Sequence, residues 1–503
     1  MAEITPVNPN QPSEPTQSEL EVADIKQRAL VGAVSYFVRT LLLQGIGFAS
    51  IIVLSKYFSP QDFGIYGIVV QIIGILIFFS DVGLAATLIQ KKEKPSHLEY
   101  KTAFTVQFGL SVLIVLLTIA LGQIPSIADK LGSAGLLVLY ALGLSFPLAT
   151  LKTVPSVILE RKLDFSRVVI PQIFEQIVFH GILIVMAVQG YGVEAYAFAV
   201  LARALIGAII MWILQPWKIG FYYKWSVFKH MFNFGAKFQA NDLLARIKDQ
   251  LFYLALGLFL PTNQFGYIQW AKNWSMYPYN LTVQNVMAIT FPSFSRLQGH
   301  PQALARAIEK SLFFITLIIF PILIGMSVFI IPLLKVIPDF EKWMPAAASL
   351  IFFSLSVGWS AISTPLTNTL NALGKINQTL KLMVLWTVLT WIVTPLMVYF
   401  FAFHGVALAA LLISFTSYLS VWYVQKSVSF RFIEHVWRQL VASIAMALVG
   451  ILGMMYWQQS LKHLFVGMLL TGSVYLVVMA LIGWRKLISE FSSFAFLIKK
   501  GKK

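Results

Sequence analysis

The sequence predicts an all-α polytopic membrane protein of about fourteen transmembrane helices, built as two six-helix lobes plus two C-terminal helices. Three observations carry this. The 503 residues are 58% hydrophobic and only 12% charged, with a mean hydropathy of +0.76; a soluble domain carries about 25% charged residues. Apolar stretches of spanning length recur with short polar breaks. Two pairs of segments also echo one another in the same order along the chain.

Residues 1–25 are rich in Pro, Gln, Glu, Asn and Ser and hold no apolar stretch, so a disordered cytoplasmic tail is expected. They lack a basic segment followed by an apolar one, and are not read as a signal peptide. Spans are expected near 28–55, 62–90, 100–122, 132–159, 166–189 and 191–215, an N-lobe over 26–217. The C-lobe, over 218–430, takes 228–259, 263–291, 307–333, 345–371, 377–402 and 404–425. Two extra spans, 434–457 and 461–484, lie within 431–486, and 487–503 form a basic cytoplasmic tail.

The formal net charge of +17 is a topology signal. An even number of spans puts both termini on one side. Of the 38 Lys and Arg, 27 fall in loops and tails on that side, and 5 (Lys56, Lys130, Lys335, Lys342, Lys462) on the other. Both termini are therefore expected in the cytoplasm, and the charge implies no nucleic-acid partner. With no cysteine and seven scattered histidines, no disulfide, metal site or cofactor is expected.

The echoes divide the chain. Leu54-Ser-Lys-Tyr-Phe-Ser-Pro-Gln-Asp-Phe-Gly-Ile-Tyr66 follows the first span, and Leu256-Gly-Leu-Phe-Leu-Pro-Thr-Asn-Gln-Phe-Gly-Tyr267 follows the seventh. Span six opens Gly192-Val-Glu-Ala and span twelve Gly405-Val-Ala-Leu-Ala. Parallel six-span repeats are a transporter plan with the site between halves.

Charge within the spans indicates the chemistry. In Asn241–Gln250, Asp242, Arg246 and Asp249 share one helix face and Lys248 points away. A charge at membrane depth costs from a few to more than ten kcal/mol, so this segment faces a bundle interior or a wet cavity. A self-neutralising ladder is one reading; a charged cavity wall is the one the rest of the chain favours. Arg39, Lys152, Arg203 and Lys272 add four more intramembrane cations. Buried ion pairs or snorkelling to the headgroups are the alternative for each. Six cations stand against the acids Asp81, Glu175, Asp242 and Asp249, which points to an anionic passenger such as a phosphate or diphosphate. Gln44, Asn273, Asn280 and Gln284 are expected to line the cavity. Glu175 and Asp249, with Asp242, are the candidates for H⁺ or Na⁺ coupling. The outer loops are short and there is no Walker loop, so an enzyme is disfavoured.

Phe58-Ser-Pro-Gln-Asp-Phe-Gly-Ile-Tyr66 and Ser80-Asp-Val-Gly-Leu-Ala-Ala-Thr-Leu-Ile-Gln90 resemble the start of bacterial Wzx-type oligosaccharide flippases. These are polysaccharide transporters of the multidrug/oligosaccharidyl-lipid/polysaccharide (MOP) exporter superfamily. Pro155-Ser-Val-Ile-Leu-Glu-Arg-Lys-Leu-Asp-Phe165, Phe291-Pro-Ser-Phe-Ser-Arg-Leu-Gln298 and Asn371-Ala-Leu-Gly-Lys375 are similar to later segments of that family. The resemblance implies a V of two lobes around a cationic cavity. It implies export of undecaprenyl-diphosphate-linked repeat units from the cytoplasmic to the periplasmic leaflet of the inner membrane, by ion-coupled alternating access. Arg39 and Arg246 would grip the diphosphate or acidic sugars, with Lys152, Arg203, Lys248 and Lys272 in support. The implied partners are the lipid-linked glycan, the bilayer, and the pathway's polymerase and chain-length machinery, around a monomer. The alternatives are a MATE-like multidrug or small-solute antiporter and a membrane glycan polymerase or ligase.

Overall fold

A computed structural model describes residues 39–80, 83–91, 93, 95–229, 231–232 and 247–500, and among these every regular element is helical. Among the described residues, twelve helices are long and apolar enough to cross a membrane. In the first half these are α1 (Arg39–Tyr57), α2 (Pro60–Ser80), α4 (His97–Gly122), α5 (Pro125–Thr150), α7 (Phe165–Val188) and α8 (Ala195–Leu214), which a 3-10 turn extends back to Gly192. The short α3 (Leu84–Gln90) and α6 (Thr153–Arg161) lie between them. In the second half are α9 (Phe252–Phe259), α10 (Thr262–Arg296), α11 (Pro301–Val336), α12 (Ala347–Ala372), α13 (Ile376–Phe401), and the pair α14 (His404–Phe415) and α15 (Tyr418–Gln425). Last come α16 (Phe432–Leu452), the short α17 (Met454–Trp457) and α18 (Leu461–Lys500).

The starts are written in local chemistry. Proline occupies the first turn of α5 and α11, where its missing N–H costs nothing. Ser96 and Glu99 cap α4 reciprocally, and Lys91 reaches the same Glu99 at 2.7 Å. Asp164 accepts from the Arg167 amide at the head of α7.

Several expected spans prove to be broken. The second is split into α2 and α3, with Gly83 at φ 77° before α3. The fourth ends at Thr150, and α6 restarts after Leu151 and Lys152. The two most polar expected spans, seven and eight, are absent from the twelve. α10 has the length, 35 residues, but is too polar to qualify. Of the seventh, residues 228, 229, 231 and 232, the π-helical turn Ile247–Leu251 and α9 are described. Asp242 and Arg246 lie outside the described residues, as does Asp81, and nothing is described of the Lys248 side chain.

α4, α5, α7 and α8 pack on one another with α2, and α10 to α14 form a second group. α16 and α18 lean on α11. The two groups meet mainly through α2 against α10. Large apolar side chains stand exposed along α13 and α18, including Ile392, Phe400, Leu476 and Leu481, as lipid-facing surfaces require.

Candidate functional site

The helix crossing that closes one face of the molecule grows from the sequence echo. Phe63-Gly64 and Phe265-Gly266 put a glycine in each of α2 and α10 where the helices touch. A β-carbon at Gly64 would fall 1.9 Å from the Thr262 carbonyl oxygen, and one at Gly266 1.7 Å from that of Pro60. Only glycine permits this approach. Phe63 and Phe265 are fully buried beside it, and the largest core cluster runs continuously through both helix groups here.

Hydrogen bonds fasten the same layer. Ser55, at the end of α1, accepts from Trp270 at 2.8 Å and Trp274 at 3.4 Å on its hydroxyl, and from Trp343 at 2.7 Å on its carbonyl. The Trp270 and Trp343 rings stack with centroids 4.8 Å apart. Lys342 donates to the Lys56 carbonyl at 2.5 Å, and Lys56 pairs loosely with Asp339 at 3.8 Å. This is the lysine-poor face, and its loops belong to both groups.

Directly beneath lies a cavity of about 330 Å³. α1 supplies Gly47 and Ser50, α2 Tyr66 and Gln71, α7 Phe179 and His180, and α10 Gln269, Lys272, Asn273 and Tyr277. Tyr196 of α8 stacks on Tyr66 with centroids 3.5 Å apart. The Lys272 ammonium rests 3.5 Å above the Tyr253 ring, and among the described residues it meets no carboxylate.

A second charged group sits deeper in the first bundle. Glu175, buried on α7, pairs with Lys152 and lies 3.8 Å from Arg203 of α8. Gly207, one turn beyond Arg203, makes room, since a β-carbon there would fall 1.9 Å from the Glu175 carboxylate. The Arg203 guanidinium lies 5.6 Å from the ring of Phe179, a wall of the cavity above. Toward the opposite, basic face, Lys152 and Glu175 also line a 260 Å³ cavity with Ser156, Glu160 and Gln172.

The expected site residues therefore divide. Lys272 and Asn273 line the inter-helix cavity. Lys152 and Arg203 are paired with Glu175, the ion-pair alternative, so three of the expected functional charges form one cluster. Gln44, half-buried on α1, sits one turn below Gly47, outside the cavity lining. Asn280 and Gln284 lie further along α10, where Gln284 donates to Asn280 at 3.0 Å. Arg39 stands eight residues below Gly47, about 12 Å along α1. Asp249 is exposed in the π turn. Ser50, Gln71, Tyr66, Tyr196 and Gln269 were not anticipated; a polar stripe at helical spacing around Lys272 was the available signal for Gln269 alone.

Residues 53–348 match the family described as "Polysaccharide biosynthesis protein". The lipopolysaccharide biosynthesis protein WzxC of Escherichia coli (strain K12) is 24% identical over 316 residues, 60% of this chain and 62% of that protein. The chain thus matches less than two thirds of that relative's length. The succinoglycan biosynthesis transport protein ExoT of Rhizobium meliloti (strain 1021) is 20% identical over 417 residues, 80% of this chain and 82% of its own. Among solved structures, the lipid II flippase MurJ in an inward closed conformation superposes with a TM-score of 0.70 at 15% identity, covering 91% of this chain and all of that one. An inward-facing MATE family transporter of the MOP superfamily gives 0.52 at 13% identity, covering 78% and 95%. The fold is shared with these transporters, and α16 to α18 follow the two helix groups.

Proposed function

We propose that this chain, which belongs to the polysaccharide biosynthesis protein family, is a flippase rather than an enzyme. It carries undecaprenyl-diphosphate-linked oligosaccharide repeat units from the cytoplasmic to the periplasmic leaflet of a bacterial inner membrane. The observation that carries the reading is the cavity between the lobes, polar and aromatic, sealed at the lysine-poor face by contacts that both lobes share. Taking the basic face as cytoplasmic, the closed face is periplasmic, and loading would come from the side on which the glycan is made.

The parts divide by chemistry. The diphosphate belongs with the cations toward the basic face, Arg39, Lys152 and Arg203, with Arg246 and Lys248 on the seventh span. Glu175 is the counter-ion that holds Lys152 and Arg203 while no anion is bound. H⁺ or Na⁺ uptake there would free both cations for the passenger, which couples the ion to loading. The polyprenyl chain suits the 260 Å³ apolar cavity between α10, α11, α16 and α18, lined by Trp274, Ile322, Phe329, Met446 and Met468. The glycan suits the wet space between the lobes. One chain encloses all three, so a monomer suffices.

The test is a deletion strain assayed for the leaflet that holds its lipid-linked glycan, by periplasmic access of a glycan-cleaving reagent. Protected glycan that becomes accessible when the gene is restored is the expected result. Accessible glycan in the deletion strain would assign polymerisation or ligation instead. No accumulation, with drug sensitivity, would assign the antiporter reading that the MATE-like fold also accommodates.

A further inference from the structure

The closed end of the inter-lobe cavity carries more than the charge of a passenger requires. Among the described residues, three polar atoms there are buried without a hydrogen-bond partner: Ser50 Oγ, His180 Nδ1 and Gln269 Nε2. Ser50 is 1% and Gln269 7% exposed, and all three residues line the cavity. A buried polar group left unmatched costs about 1–3 kcal/mol. Three on one wall, drawn from α1, α7 and α10, mark a place that is completed by something else. Gln269 is also held in place, because a β-carbon on Gly67 would fall 2.7 Å from its Cγ.

What completes it is set by the remaining walls. Tyr66, Phe179, Tyr196 and Tyr277 give ring surface, and Gln71 and Asn273 add amides. Apolar ring faces with a few placed donors and acceptors are the chemistry of a pocket for a small polar ligand, and 330 Å³ is within the range of such pockets. A pyranose ring offers both surfaces, its C–H face to an aromatic ring and its hydroxyls to amide, imidazole and serine. The pocket's cation, Lys272, is turned onto Tyr253.

We infer that the closed end is a saccharide subsite that reads an uncharged sugar ring of the passenger. Ser50, His180 and Gln269 bond its hydroxyls, and Tyr277 shapes its bed. This rests on the flippase reading above. It also makes the subsite part of the seal. Its walls come from both lobes, one turn below the Ser55 contacts, so a bound sugar bridges the lobes and an opening at the lysine-poor face pulls its partners apart.

The experiment uses the full chain in nanodiscs and a panel of methyl glycosides (glucoside, galactoside, mannoside and N-acetylglucosaminide), read by saturation-transfer NMR. At least one glycoside should receive saturation, reduced more than fivefold by Gln269→Ala and left intact by Thr390→Ala on α13. The rank order of the glycosides should change in Tyr277→Phe, which keeps the ring and removes one hydroxyl. That change separates reading from folding, since a merely structural loss lowers all glycosides alike. Absence of transfer to every glycoside, or transfer indifferent to Gln269→Ala and Tyr277→Phe, overturns the subsite and leaves a pocket for water. The two readings fail separately. Protected glycan in the deletion strain without glycoside binding keeps the flippase and sinks the subsite. Gln269-dependent binding with unprotected glycan keeps the subsite and sinks the flippase.

Discussion

Glu175 is the buried carboxylate on which two cations of the first lobe converge. It compensates Lys152 directly and Arg203 at 3.8 Å, from a buried position on α7. Glu175→Gln would leave two cations with no counter-charge. Breaking a buried pair costs about 3–5 kcal/mol, which the partial exposure of Arg203 reduces here to about 2 kcal/mol. The expected result is a lower thermal midpoint of the purified protein and export that no longer depends on the ion gradient. Gly207→Ala should reproduce it by displacing the carboxylate, and the double variant should lose no more than either single one. Additive losses would separate Gly207 from the cluster. The three charges were visible in the sequence as ionisable residues within apolar spans, but their pairing was not. They sit on different helices, and spacing along a chain reports only neighbours on one helix.

At the scale of elements, the crossing of α2 and α10 decides whether the lysine-poor face opens. Gly64→Ala and Gly266→Ala each place a methyl group inside backbone that cannot yield cheaply. Both should push the lobes apart at that face and raise the open population. Ser55→Ala acts more gently on the same contact. It removes the hydroxyl that accepts from Trp270 and Trp274 and keeps the carbonyl that accepts from Trp343. Interhelical hydrogen bonds in membranes average about 0.6 kcal/mol, so losing two shifts the equilibrium by roughly sevenfold. The chain has no cysteine, so Gln71→Cys in the cavity is a single reporter. Its labelling by a membrane-impermeant thiol reagent from the lysine-poor face should rise in the order wild type, Ser55→Ala, Gly64→Ala. Unchanged labelling in Gly64→Ala would mean that the crossing is no seal. The Phe-Gly echo was legible as duplication. That the two copies meet face to face was not, because a repeat declares equivalence and says nothing of contact.

For the whole molecule, the sequence made the bilayer architecture plain and left its wet interior obscure for one physical reason. Hydropathy finds helices that face lipid, and it counts against a helix whose polar side chains line a cavity. α10, with Lys272, Asn273, Asn280 and Gln284, is too polar to qualify as a span, yet it supplies Gln269, Lys272, Asn273 and Tyr277 to the cavity wall. The converse holds for the passenger's apolar end. The cavity between α10, α11, α16 and α18 is nearly all hydrocarbon, and on the proposed reading it holds the polyprenyl chain while the sugar lies on the other side of α10. Filling it should therefore block transport of the lipid-linked substrate without touching sugar recognition. Gly325→Phe projects a ring into that space from α11, against the Met446 side chain, which can move. The expected outcome is at least a tenfold loss of leaflet transfer in the deletion strain, with methyl glycoside binding to the purified variant unchanged. Loss of both would mean that the two cavities are one mechanical unit. Transport retained with the cavity filled would place the lipid chain in the bilayer, outside the protein.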